Sequence, residues 1–122
     1  MASVSSRLAA EAVRLGEIRQ AAADERARCE LRLGRHETII AALESRLATY
    51  PTRESTAALL ALALYRAGRQ AEALATIVRI REVLDAELGL SPGPALRRLE
   101  IEILRQDEGL ELPSATPVEV RE

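Results

Sequence analysis

The chain has 122 residues, of which 48% are hydrophobic and 30% charged, so it suits one folded domain and excludes extensive disorder. Phe and Trp are absent, Tyr occurs twice, and all 17 basic residues are Arg, so the core must be built from Leu, Ile, Val and Ala. Small side chains of this kind let helix axes approach closely, whereas strands favour more β-branched and aromatic residues. The net charge of −2 is uneven: residues 1–106 carry 16 Arg against 14 acids, and residues 107–122 carry one Arg against five acids. Near-neutral, interspersed charge over the first segment argues against direct nucleic-acid binding, which needs a clustered basic face.

In chain order, Ser5 and Ser6 offer capping oxygens to a first helix over Arg7–Leu33, with Leu8, Leu15, Ile18, Ala22, Cys29 and Leu33 along one seam. That seam is expected to face inward, with Cys29 as a small buried residue on it. Gly16 weakens this helix by about 1 kcal/mol relative to Ala, and Gly34 ends it. A second helix spans Glu37–Thr49 with Ile39, Ile40, Leu43 and Leu47 inward, and Pro51 stops it. The third begins at Thr52 or Arg53 and runs to Ala67. It is apolar all round, the mark of a helix packed on more than one side. The fourth, Gln70 to about Leu88, carries Ala73, Leu74, Ile77, Leu84 and Leu88 on one stripe, with Leu74 expected to be buried. After the stiff Leu90–Pro94 elbow a fifth helix runs from Pro94 to about Arg105, with Leu96, Leu99 and Ile103 inward. Two units follow from this: a helical domain over residues 1–106 and an acidic, Pro-containing tail or linker over 107–122, with Leu112–Pro117 extended.

Leu33-Gly34-Arg35 and Ala67-Gly68-Arg69 stand 34 residues apart, each between two helices and each followed by an amphipathic stripe. A glycine at the inter-helix turn, with small or apolar residues five and nine positions later, is the tetratricopeptide pattern. Each helix pair is too thin to bury its own face, so stacked pairs share a core. The expected fold is an all-α, tetratricopeptide-like antiparallel helix-pair stack of about five helices.

The stretch from Arg14 to Glu108 resembles the bacterial transcriptional activator domain of the Streptomyces antibiotic regulatory protein (SARP) family. The resemblance rests on Arg14-Leu15 with Glu17-Ile18-Arg19, on Leu33-Gly34-Arg35-His36, and on Pro51 with Arg53-Glu54. It is strongest over Leu62 to Leu74 and over Glu87 to Pro94, and ends on Ile103 to Asp107. The first helix departs from it, with Gln20, Ala23 and Ala27 where bulkier aliphatics are usual. The resemblance implies an interaction and oligomerisation module of a bacterial transcription regulator. Its expected partners are RNA polymerase subunits or other domains of the parent regulator, and a homodimer is a further option. A winged-helix DNA-binding domain precedes the module in such regulators and has no counterpart here, so the chain reads as a fragment or a stand-alone module. The alternative is a generic tetratricopeptide-like adaptor or scaffold outside transcription.

Chemistry is sparse. His36 and Cys29 are single occurrences and do not make a zinc site. The Gly89–Pro94 elbow lacks the Gly-Lys-Ser/Thr ending of a phosphate loop, and the chain has no Lys. No enzyme activity, cofactor or metal is expected. The apolar runs are too short for a membrane span and no signal peptide is evident, which suggests the cytoplasm. A groove lined by the first helix of each pair would present Asp24, Arg28, Arg32, Leu62, Tyr65 and Arg66, suited to an acidic or C-terminal peptide. The same residues also fit a plainer role, in which Tyr65 packs on the next helix and the Arg stems cover apolar surface.

Overall fold

The computed structural model describes Ser3–Glu111. It contains α1 (Val4–Arg32), α2 (His36–Thr49), α3 (Glu54–Arg66), α4 (Gln70–Leu88) and α5 (Pro94–Arg105), then a single 3-10 turn over Glu108–Leu110. The fold is therefore the expected all-α helix-pair stack. The expected extended segment Leu112–Pro117 lies outside the described residues. α3 is the central element and touches each of the other four helices. Its Ala57, Ala61 and Ala63 are fully enclosed, so the neighbouring axes come close, and Leu59, Leu60 and Leu64 fill the remaining space. Leu43, Ile77, Ile80, Leu84, Leu96 and Ile103 complete one continuous core.

The 34-residue repeat holds at the level of the backbone. At the end of α1, the Gly34 N–H donates to the Leu31 carbonyl and the Arg35 N–H to the Glu30 carbonyl. At the end of α3, the Gly68 N–H donates to the Tyr65 carbonyl and the Arg69 N–H to the Leu64 carbonyl. Both are Schellman closures, which need a left-handed residue after the last turn. Gly34 and Gly68 adopt φ of 79° and 80°. Gly68→Ala is expected to lower stability by about 1–2 kcal/mol from the left-handed backbone alone, since the added methyl meets open space. Urea unfolding at unchanged m-value would measure it.

Three features depart from the sequence reading. The cap of α1 is Ser3, whose Oγ accepts from the Ser6 N–H at 3.1 Å, so the helix starts one turn early. On α4 the inward line is Ala73, Ile77, Ile80 and Leu84, while Leu74 is half-buried and Leu88 exposed. The third departure is the largest. α1 rests on the body through Gly16, Gln20, Ala23, Asp24, Ala27 and Leu31, whereas Leu8, Leu15, Ile18, Ala22, Cys29 and Leu33 are all exposed. α1 has neighbours on one side only. The side it buries is set by Asp24, which two arginines of the body hold, and not by its apolar stripe.

Candidate functional site

Two constellations tie the stack together and shape its surface. The first is centred on Asp24, which is 2% exposed. Its Oδ2 accepts from Arg53 Nη2 at 2.9 Å and from Ser55 Oγ at 2.7 Å, and its Oδ1 accepts from Thr56 Oγ1 at 3.1 Å and from Arg46 Nη2. Arg53 also reaches Glu17 at 2.9 Å, and Arg46 Nε donates to Gln20 Oε1 at 3.2 Å. Burial would push the Asp24 carboxyl up, but the hydrogen bonds from Ser55, Arg53, Arg46 and Thr56 outweigh it and hold the carboxyl below its usual range. One carboxylate thus joins α1, α2 and the start of α3. The next residue, Glu54, accepts the Gly93 N–H at 2.7 Å and fastens the elbow before α5. The neighbours Arg53 and Glu54 therefore clasp opposite ends of the stack.

The second constellation lies at the far end of α3. Leu62 and Tyr65 are half-buried against the core, and Arg66 Nε donates to the Leu110 carbonyl at 2.7 Å. Leu110 itself is buried, so Asp107–Leu110 folds back on the body. Burial first, then the carboxylates of Glu111 and Asp107, push the Tyr65 phenol up. Gln70 Nε2 meets the Ile103 carbonyl at 3.3 Å beside this turn.

Of the six residues expected to line a groove, Arg66 meets the 3-10 turn, Tyr65 feels the carboxylates on either side of it, and Leu62 packs on the core one turn earlier in α3. Arg28 and Arg32 are exposed on α1, where Arg28 pairs with Glu25 at 2.9 Å and Arg32 donates to Cys29 Sγ at 3.2 Å. Asp24 is enclosed, with both oxygens engaged. The sequence reading missed Arg46, Arg53 and Leu110. A lone acid on the inward line of an alanine-rich helix was the available signal for the first two. His36 sits half-buried at the start of α2 with Nδ1 enclosed and unpaired. Among the described residues no group of three or more His, Cys, Asp or Glu could hold a metal ion. No helix among them is long and apolar enough to cross a membrane.

The model of the bacterial transcriptional activator domain family matches residues 1–104, nearly the whole helical stack. The chain belongs to that family. As a bacterial transcriptional activator domain it is 45% identical over 105 residues to the regulatory protein AfsR of Streptomyces coelicolor, covering 85% of this chain and 11% of AfsR. It is 36% identical over 117 residues to the regulatory protein DnrI of Streptomyces peucetius, covering 92% of this chain and 43% of DnrI. Among solved structures, Mycobacterium tuberculosis EmbR in complex with a low affinity phosphopeptide matches with a TM-score of 0.77 at 36% identity. That match covers 84% of this chain and 26% of EmbR. The relatives are SARP-family transcription regulators, and this bacterial transcriptional activator domain spans less than half the length of each of these three.

Proposed function

We propose that the chain is the protein–protein interaction module of a SARP-type transcription regulator, acting in the cytoplasm without catalysis, cofactor or direct nucleic-acid contact. Its partners would be RNA polymerase subunits or other domains of the parent regulator. The observation that carries this reading is the second constellation. The surface at Tyr65 and Arg66 already holds a short peptide, the chain's own Asp107–Glu111 segment. An arginine meets its backbone carbonyl, a leucine enters the core and two carboxylates flank a tyrosine. A protein segment of the same leucine-and-acid chemistry would bind there or alongside, with Arg28 and Arg32 of α1 extending the basic rim, while Asp24, enclosed at the other end of α3, takes no part in it. The helical module and the acidic Pro-containing tail remain two units in this reading, the first turn of the tail packing on the module.

The test is capture of purified RNA polymerase subunits, and of the parent's other domains, on the immobilised chain. Tyr65→Ala and Arg66→Ala are each expected to weaken capture by about 5- to 30-fold, the range of a moderate interface residue. Circular dichroism would confirm that the fold persists. No capture by the wild type, or capture indifferent to both substitutions, would overturn the reading.

A further inference from the structure

The end of α5 repeats the closure that ends α1 and α3. The Gln106 N–H donates to the Ile103 carbonyl at 3.0 Å and the Asp107 N–H to the Glu102 carbonyl at 3.0 Å, the pattern found at Gly34 and Gly68. α2 and α4 each start two residues after that glycine, and the 3-10 turn starts two residues after Gln106. The second helix of a third pair therefore begins in register. It stops after three residues, where α2 runs for 14 and α4 for 19. Gln106 also takes the left-handed conformation without being a glycine, at φ 54°. That costs free energy which Gly34 and Gly68 avoid.

A single turn has no helix to propagate, so its contacts with the body must hold it. Leu110 is 7% exposed, and its carbonyl accepts from Arg66 Nε. Glu108, Gly109 and Glu111 around it are exposed. Support this thin places the turn among the segments that open locally while the rest of the fold persists. Opening leaves two linked vacancies: an apolar slot where Leu110 was, and a half-buried Arg66 that has lost its acceptor. A segment that answers both carries a leucine whose carbonyl meets Arg66. It also carries acids three residues before and one after, as Asp107 and Glu111 stand to Leu110.

We infer that the Asp107–Glu111 turn is an autoinhibitory strap. It occupies the leucine slot at Arg66, and a partner segment of the same acid-and-leucine pattern binds only by displacing it. This rests on the reading of the Tyr65–Arg66 surface as a partner site, and adds that the site is closed at rest. Partner affinity is then lowered by the fraction of molecules whose strap is open. A strap held by one leucine and one hydrogen bond is open in about 1–10% of molecules, so its release is worth about 10- to 100-fold in affinity.

The probe is a synthetic peptide of residues Gln106–Glu111, titrated into the full chain and followed through the amide shifts of α3. It should bind Leu110→Ser about 10- to 100-fold more tightly than wild type, because the tethered competitor, at roughly millimolar effective concentration, is gone. The peptide carrying Leu110→Ser should bind neither chain. Gln106→Gly relieves the left-handed backbone and holds the strap down, so it should weaken peptide binding by about 2- to 5-fold. That variant leaves the core whole and reads the strap even if Leu110→Ser loosens the fold. Equal affinity of wild type and Leu110→Ser, or no binding to Leu110→Ser at millimolar peptide, would overturn the inference and make the turn a fixed cap of the stack. Capture of RNA polymerase subunits separates the two proposals. Equal capture by wild type and Leu110→Ser overturns the strap and leaves the interaction reading standing. Peptide binding as expected, with no subunit or parent domain captured by either chain, overturns the interaction reading and leaves the slot and its strap.

Discussion

Asp24→Ala is expected to destabilise the fold by about 3 kcal/mol and to loosen α1 from the rest of the stack. Removing one partner of a buried ion pair typically costs about 3–5 kcal/mol, because the charge left behind loses its compensation. The lower end applies because the side chains of Arg46 and Arg53 keep 20% and 18% of their exposure, so water can partly replace the carboxylate. Ser55 and Thr56 would lose their acceptor as well. Urea unfolding monitored by circular dichroism would give the magnitude, and hydrogen exchange would show protection falling first in α1. The same contact sets a pH dependence. A carboxyl held below its unfolded value, about 3.9, contributes its full stability above that pH and loses it as pH falls through the folded value. Wild type and Asp24→Ala should therefore differ by a constant amount at neutral pH and converge below about pH 4. A difference that persists undiminished well below pH 3 would mean that the charge on Asp24 is not what holds α1.

How much of this was legible in the sequence follows from the range of each interaction. The helices and their turns are local. Gly34 and Gly68 sit where a left-handed residue must close a Schellman turn, and Pro94 starts α5, so boundaries fell within a few residues of those found. The orientation of α1 is not local. Its outward stripe is more apolar than the line it buries, and apolar periodicity alone selects the wrong side. What decides the matter is the pairing of Asp24 with Arg46, 22 residues on, and Arg53, 29 residues on, and no spacing rule connects them. Cys29 was expected inside for the same reason and is exposed. At the peptide-holding end, Tyr65 and Arg66 were recognisable because α3 is the first helix of a repeat pair, the helix expected to line a groove. Leu110 was not, since a three-residue turn carries no period and its burial depends on where α5 ends. Gln106, left-handed at φ 54°, makes that return possible without a glycine to announce it.

Ile77→Ala is the second large effect expected, about 2–5 kcal/mol, the range for removing a fully enclosed aliphatic side chain. Ile77 is 0% exposed at the middle of α4, on the line Ala73, Ile77, Ile80 and Leu84 that faces α3. Ile77 lies within one continuous core of enclosed side chains, so its truncation leaves a cavity there. Leu74, one position along and equally apolar, is only half-buried, so Leu74→Ala should cost clearly less, about 1–2 kcal/mol. The ratio between these neighbours is more informative than either number, since helix propensity separates the two substitutions by only a few tenths of a kcal/mol and the main difference is what surrounds the lost atoms. Paired urea melts would read it directly. Equal losses at the two positions would mean that α4 is rotated on α3. That rotation would also move Arg81 away from Glu100 of α5, the ion pair that joins α4 to α5. The packing of one isoleucine and the attachment of the last helix are thus two readings of the same helix orientation.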